Sequence, residues 1–456
     1  MSQQREEQTG LYGSIRSAAK QRAAFTGGEV PVAVYGLGKM GLPLAAVFAE
    51  VTGNVVGADI DDAVVDRVNA GESHVTREPG LPDLVETVVE RDALRAVSNP
   101  VEAARRAGVH VLMVPTLLTD DDAPDLSTLL AATRDVATGL SPGDLVIVES
   151  TVPPGTTEDR IVPRLAEVSG LEAGEFGAAA CPERTSSGRA LQDVRGAYPK
   201  VVGGVDEEST RIATLIYDEV SDNRVITTPD ARTAEAVKVF EGVYRDVNIA
   251  LANQFSRYAE VADVDVNAAI EVANTQPYCD IHDPGPGVGG HCIPVYPHFL
   301  LQSFDVESPL LSVARTVNDG MPAHTVATLE SILEDGGEKL RDATVLVLGL
   351  TYRGNVAEIR NAPSIPITRM LQNRGATVMA CDPVLDDWSA FDGVERVPAG
   401  SVEDRTADAV LVLADHDEFE SLDWSEIAAP ILDGRSVLEA IDSDAPVYTI
   451  GGRRPR

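Results

Sequence analysis

The chain has 456 residues, too many for one ordinary hydrophobic core, so two or three domains are expected. With 37 Lys and Arg against 72 Asp and Glu the formal net charge is −35, and such a surface repels nucleic acid and anionic membranes. Hydrophobic residues make up 44% of the chain without any apolar run near the ~20 residues of a bilayer span, which points to a soluble globular protein.

The acidity is spread along the chain, and lysine occurs only as Lys20, Lys39, Lys200, Lys238 and Lys339. This balance fits a salt-rich cytoplasm, where screening tames self-repulsion; an ordinary acidic protein is the other reading. Cys181, Cys279, Cys292 and Cys381 are far apart with no CxxC pair. Neither a disulfide framework nor a metal site is expected, and reduced cytoplasm is the default compartment. Residues 1–28 lack the apolar core of a signal peptide and read as a polar, partly helical arm.

A first α/β domain is expected over 29–215. Val30 to Tyr35 is a continuous apolar run, followed by Gly-Leu-Gly-Lys-Met-Gly and an apolar helix pattern from Leu42 to Glu50. This is GxGxxG in the strand-turn-helix setting it requires. Gly36 permits the tight turn, Gly38 lets a pyrophosphate approach backbone N–H groups, and Gly41 lets helix and strand pack closely. A second strand, Asn54 to Ala58, delivers Asp59 where an acid binds the adenine ribose. A carboxylate there repels a 2′-phosphate, so NAD is favoured over NADP. Further strands at Val109 to Val114, Leu145 to Glu149 and Gly177 to Ala180 alternate with helix-like stretches, the rhythm of a doubly wound parallel sheet.

A helical central domain is expected over 216–320. Thr228-Pro229 can cap and open a helix, and the run after it can continue through Ala262, roughly 30 residues or about 45 Å. On it Lys238, Glu241 or Gly242, and Arg245 share a face. Lys238, amid Ala-Val-Lys-Val-Phe, is either a functional cation or a surface lysine whose head reaches water.

Asp283 to Pro297 reads Asp-Pro-Gly-Pro-Gly-Val-Gly-Gly-His-Cys-Ile-Pro-Val-Tyr-Pro. Its glycines, Gly287, Gly289 and Gly290 among them, free the backbone to press against a ligand, while the prolines stiffen it. A Cys292 thiolate could attack an electrophilic carbonyl beside backbone N–H groups that hold an anion. The alternative is a buried structural cysteine in a Gly/Pro turn. Because neighbours in an extended segment point to opposite faces, His291 reads as structural and not as a base for Cys292.

Over 321–456 the β-α-β rhythm returns: a strand from Asp342 to Gly349, a helix from about Pro363 to Arg374, and strands Ala376 to Cys381 and Ala409 to Ala414. Gly-Leu-Thr-Tyr-Arg-Gly lacks the three-glycine fingerprint, so this second domain should not hold a second NAD. The fold expected overall is two Rossmann-like doubly wound α/β domains joined by a long central helix and a helical middle domain.

Gly-Val-Gly-Gly-His-Cys-Ile-Pro resembles the active-site cysteine loop of the nucleotide-sugar dehydrogenases, most closely the UDP-N-acetylmannosamine dehydrogenase branch. The resemblance extends from about Val30 to about Ile431. It implies an NAD-dependent, four-electron oxidation of a UDP-hexose C6 alcohol to the uronic acid through a covalent Cys292 adduct. UDP-N-acetylmannosamine is the substrate favoured, with UDP-glucose or UDP-N-acetylglucosamine as alternatives, and the products feed cell-surface polysaccharide or glycoprotein glycans.

The same resemblance makes Lys238 the stabiliser of the C6 oxyanion and Glu183 an acid/base or water-handling group. Thr116, Thr151 and Arg353 are expected at the cofactor, with Glu149 and Ser150 in a loop near the nicotinamide. Arg184, Arg245, Gly287, Gly289, Gly290 and Arg360 are expected at the substrate, the last within Ile-Arg-Asn-Ala-Pro. The long helix is implied to form much of a homodimer interface. Two departures stand out: Gly242 replaces the usual asparagine, and Tyr296 replaces the usual aspartate. They leave room for two rivals, a two-electron hydroxyacid-type dehydrogenase, which has no need for Cys292, and a catalytically impaired nucleotide-sugar binder.

Overall fold

Val32–Tyr35 (β1) is buried along its whole length, as a strand must be when helices cover both faces of a parallel sheet. In a computed structural model that describes residues 10–438 and 443–452, β1 pairs in parallel with Val55–Ala58 (β2) on one side and Val109–Leu112 (β4) on the other. Leu94–Val97 (β3), Leu145–Val148 (β5), Gly177–Ala180 (β6), Lys200–Gly204 (β7) and Val225–Thr227 (β8) complete an eight-stranded sheet in the order β8-β7-β6-β5-β4-β1-β2-β3. Only the β6–β7 pair is antiparallel. Strand order reverses between β1 and β4, and loops leaving the carboxyl ends of such a pair bracket the ligand crevice.

Apart from residues 1–9, which lie outside the described residues, the expected polar arm is built into this layer. Leu11, Tyr12 and Phe25 are all buried, and Phe25 meets Phe48 edge-on at 6.5 Å between centroids. Its apolar residues were sparse enough to pass for surface.

The chain divides into two compact units, one running to Phe240 with His298–Ser303 added, the other comprising Glu241–Pro297 and the chain from Phe304 onward. The second holds an all-parallel sheet in the order β11-β10-β9-β12-β13-β14. Its strands are Thr344–Leu348 (β9), Thr377–Cys381 (β10), Glu395–Arg396 (β11), Ala409–Val412 (β12), Ile431–Asp433 (β13) and Val447–Thr449 (β14).

The long helix is Ala231–Ser256, 26 residues, shorter than expected at both ends. Asp230, not Thr228, caps it, accepting the Thr233 N–H at 2.7 Å. At the far end Tyr258 N–H bonds back to the Phe255 carbonyl, three residues away, at 2.8 Å. That tighter turn separates the helix from the short piece Ala259–Ala262. Among the described residues no helix is long and apolar enough to cross a membrane.

Candidate active site

The glycine-rich turn after β1 has a separate reason at each glycine. Gly36 has φ 90°, and a Cβ there would lie 2.3 Å from the Met113 carbonyl oxygen. At Gly41 a Cβ would stand 1.8 Å from the Gly36 oxygen, so helix Gly41–Thr52 could not close on β1. Gly38 faces open space within 4 Å, the gap a pyrophosphate needs beside the helix N-terminus. Asp59, at the end of β2, accepts the Leu37 N–H at 2.7 Å and the Asp61 N–H at 3.0 Å. Beside it Ile60 is 88% exposed, an apolar face at the edge of the crevice that went unnoticed in the sequence.

The loops after β4 and β5 are tied together. Thr116 donates its hydroxyl to the Thr151 carbonyl at 2.6 Å, and the Ser150 hydroxyl donates to the Val114 carbonyl at 2.8 Å. The β5 loop is clamped further by Glu235 on the long helix, which accepts Gly155 N–H at 2.5 Å, Thr157 N–H at 2.8 Å and the Thr157 hydroxyl at 2.6 Å. Burial pushes the Glu235 carboxyl up to about 7, against those donors. One turn on, Lys238 is buried, with 9% of its surface exposed.

Glu149 does not join its loop mates. Its carboxylate turns inward to Lys200 Nζ, 2.7 Å from both oxygens, and accepts the Tyr217 hydroxyl. The ammonium also lies 4.5 Å from the centre of the Tyr217 ring. Burial pushes Glu149 upward while Lys200 pulls it down. Glu183 sits on this cluster: its N–H donates to the Glu149 carbonyl at 3.1 Å, and both residues line a small cleft with Arg184, Tyr198, Lys200 and Tyr217. Arg184 donates to the Pro199 carbonyl at 2.8 Å.

In the second unit the cysteine loop is pressed against the loop that follows β9. Gly290 N–H donates to the Arg360 carbonyl at 2.8 Å, and the Asn361 amide donates to the Gly290 carbonyl at 2.9 Å. A Cβ at Gly289 would be 2.6 Å from the Tyr352 Cβ, and one at Gly287 3.1 Å from Pro363. These close approaches are the reason the segment carries glycine. The start of the loop is held by a buried chain of bonds: Asn253 accepts Gly285 N–H at 2.9 Å and donates to Asn318 at 2.9 Å, and Asn318 donates to Asp246 at 2.8 Å. Arg315 completes it with a 2.5 Å contact to Asp246.

Cys292 is half-buried, as is Cys279, whereas Cys181 and Cys381 are buried. Burial pushes the Cys381 thiol up to about 11 and Cys181 higher still, which leaves neither available as a thiolate. Arg245 and Arg353 act electrostatically on Tyr352 beside the loop, as does Cys292, and Arg360 acts on His291. The backbone at His291 and Cys292 is a bend that runs into a turn, where an extended segment was expected, and His291 Nδ1 is buried without a hydrogen-bond partner.

Three family models match in chain order. The NAD binding domain of the UDP-glucose/GDP-mannose dehydrogenase family covers 30–221, its central domain 232–320 and its UDP binding domain 346–440. The UDP-N-acetyl-D-mannosamine dehydrogenase of Pyrococcus horikoshii is 38% identical over 415 residues, covering 90% of this chain and 96% of that one. The chain belongs to the UDP-glucose/GDP-mannose dehydrogenase family. An NDP-N-acetyl-D-galactosaminuronic acid dehydrogenase of Ralstonia nicotianae is 35% identical, covering 88% of this chain and 94% of that one. A solved structure of the Pyrococcus horikoshii UDP-D-ManNAc dehydrogenase superposes with a TM-score of 0.84 at 36% identity, covering 92% of this chain and 99% of that one.

As a member of this family the protein is an NAD-dependent oxidoreductase, and the open space at Gly38 between the closed-in Gly36 and Gly41 fits the dinucleotide. In its UDP binding domain the acid that ends β10, Asp382, is committed to the fold. It accepts N–H groups of Leu350 and Thr351 at 2.7 and 3.0 Å and lies 3.2 Å from His416 Nε2. Arg435, outside every motif, is half-buried there and donates to the Tyr352 carbonyl at 2.9 Å.

Proposed function

We propose that the chain oxidises the C6 alcohol of UDP-N-acetyl-D-mannosamine to the uronic acid, with UDP-glucose or UDP-N-acetylglucosamine as alternative substrates. The observation that carries this reading is Cys292, half-buried in a glycine loop against the UDP binding domain, with the charges of Arg245, Arg353 and Arg360 felt there. Cationic side chains around a glycine-rich loop suit a pyrophosphate-linked sugar. The two relatives' names support an N-acetylated hexose.

Gly36, Gly38, Gly41, Asp59, Thr116 and Thr151 would hold the cofactor; bound NAD supplies the hydride acceptor for both oxidations. Cys292 adds to the C6 aldehyde to give a thiohemiacetal, which is oxidised to a thioester and released by water. Lys238 supplies positive charge for the oxyanion. Glu183 positions the hydrolytic water, with Arg184 beside it at the substrate.

The protein is further read as a cytoplasmic homodimer of a salt-rich cell, feeding cell-surface glycans. Tyr244 and Leu251, seven residues apart on the long helix and 52% and 44% exposed, offer apolar surface for a second copy to cover. The deciding experiment counts NADH per sugar acid formed from UDP-N-acetyl-D-mannosamine. Two is expected; one places the chain with the two-electron dehydrogenases, and none makes it a binder.

A further inference from the structure

The loop after β9 carries Tyr352, whose ring lies against the cysteine loop: a Cβ at Gly290 would meet it at 3.1 Å. Asn355, later in the same loop, has a left-handed φ of 61°, and side chains from other strand ends hold it there. His416, in the segment after β12, is buried and accepts the Asn355 N–H on Nδ1 at 3.1 Å. Its Nε2 lies 3.1 Å from the Thr351 hydroxyl and 3.2 Å from Asp382 Oδ2. Asp417 accepts the Asn355 amide at 2.6 Å and returns its own N–H to the Asn355 side-chain oxygen at 3.2 Å.

These partners allow the imidazole one protonation state. A nitrogen that accepts an N–H carries no proton, so the single ring proton sits on Nε2, shared between Asp382 and Thr351. Thr351 agrees: its hydroxyl donates to the Arg353 carbonyl at 3.0 Å, which leaves the oxygen free to accept. We propose that His416 is a positioning residue for the cysteine loop, its neutral imidazole latching the β9 loop where Tyr352 supports Gly289 and Gly290, and that a proton on Nδ1 opens the latch. This rests on the reading of Cys292 as the nucleophile.

The charged groups around the ring are Asp382 from β10, Asp415, Asp417 and Glu418 on its own segment, Arg353 on the loop, and Arg435, which follows β13 and reaches the Leu413 and Tyr352 carbonyls at 2.7 and 2.9 Å. Asp382 can keep the Nε2 proton in either state of the ring. Asp415 and Asp417 are engaged on the same loop, at Gly354 N–H and the Asn355 amide. The conflict falls on Nδ1: once protonated it sets an N–H against the Asn355 N–H, and a buried hydrogen bond is lost. Loop and proton therefore compete for one nitrogen, and the loop loses as pH falls.

The test follows the loop and needs no sugar. Backbone hydrogen exchange of a peptide covering 350–360, corrected for its intrinsic dependence on pH, is read by mass spectrometry of the full chain between about pH 8 and pH 5. Wild type is compared with His416→Asn, whose amide oxygen can accept the Asn355 N–H and does not titrate. Wild type should lose about tenfold or more of its protection as pH falls, with Val32–Tyr35 unchanged, and His416→Asn about threefold or less. Flat protection in wild type overturns the latch without any variant. An equal loss in both proteins overturns it too, as does a loss shared by Val32–Tyr35. In turnover of UDP-N-acetyl-D-mannosamine, the fall of kcat toward pH 5 should be shallower for His416→Asn than for wild type, with KM for NAD unchanged; identical pH profiles overturn the positioning role. Failure of the latch leaves the expected two NADH per acid untouched, whereas failure of the sugar oxidation leaves the exchange curves unchanged, so the two readings fall separately.

Discussion

The ring of Tyr296 fills the space that any side chain at position 242 would need: a Cβ on Gly242 would lie 2.2 Å from Tyr296 Cδ2 and 3.1 Å from its Cε2 and Cγ. The two departures from the family pattern are therefore one structural event, a glycine inside the long helix accommodating a buried tyrosine. Glycine costs about 1 kcal/mol in a helix interior relative to alanine, and the buried ring offsets that. Gly242→Asn alone should overpack the site and lower stability by about 1–3 kcal/mol. In a Tyr296→Ala background the same change should cost at least about 1 kcal/mol less, measured by urea unfolding in a double-mutant cycle. Additive effects would show that the ring and the glycine do not depend on each other.

Glu235 gives a pH dependence of definite sign. Its carboxyl is raised from 4.5 to about 7 by burial, so the folded state holds a proton that the unfolded chain releases near 4.5. The stability this contributes is full below about 4.5 and is lost as pH rises to about 7, up to roughly 3 kcal/mol. Wild type should thus lose stability relative to Glu235→Gln between pH 5 and 8 in thermal melts. A constant gap between the two proteins across that range contradicts the assignment.

Asp59 holds the Leu37 N–H as well as the position for a ribose. Asp59→Ala should weaken NAD by roughly 10- to 100-fold, the cost of a charged hydrogen bond, and narrow the preference over NADP. Equal affinity for the two cofactors in the unmodified protein is the result that rules this out, read by titrating intrinsic fluorescence.

A net charge of −35 on 456 residues predicts strong salt dependence. Near 0.01 M salt the screening length reaches roughly 30 Å, so repulsion acts across a whole domain, and the melting temperature should fall well below its molar-salt value. A melting temperature flat from low to molar salt refutes adaptation to a salt-rich cell.

The sequence was legible where function is local. The glycines at 36, 38 and 41 sit in one turn, and the strand that feeds it is a buried apolar run, so both could be read in place. Lys200 and Glu149 are 51 residues apart with no motif between them, and their pairing depends on β7 running antiparallel beside β6. The Asn253–Asn318–Asp246–Arg315 chain spans about 70 residues and joins two helices through single polar side chains, each of which looks like ordinary helix surface. The bend at His291 and Cys292 is another case, because the glycines around it set a backbone course that residue alternation does not announce. Likewise the early end of the long helix at Ser256 follows from a tight turn that its composition did not announce.

The central claim is that Cys292 carries the sugar covalently. Rapid quenching of wild type during turnover of UDP-N-acetyl-D-mannosamine with NAD, followed by mass spectrometry, should find the Cys292 peptide bearing a thioester-linked UDP-uronyl group. Cys292→Ser should lack that thioester and still bind cofactor and sugar, while forming uronic acid several orders of magnitude more slowly, because a hydroxyl adds to an aldehyde far less readily than a thiol at neutral pH. Uronic acid made by Cys292→Ser at near the wild-type rate contradicts the covalent mechanism.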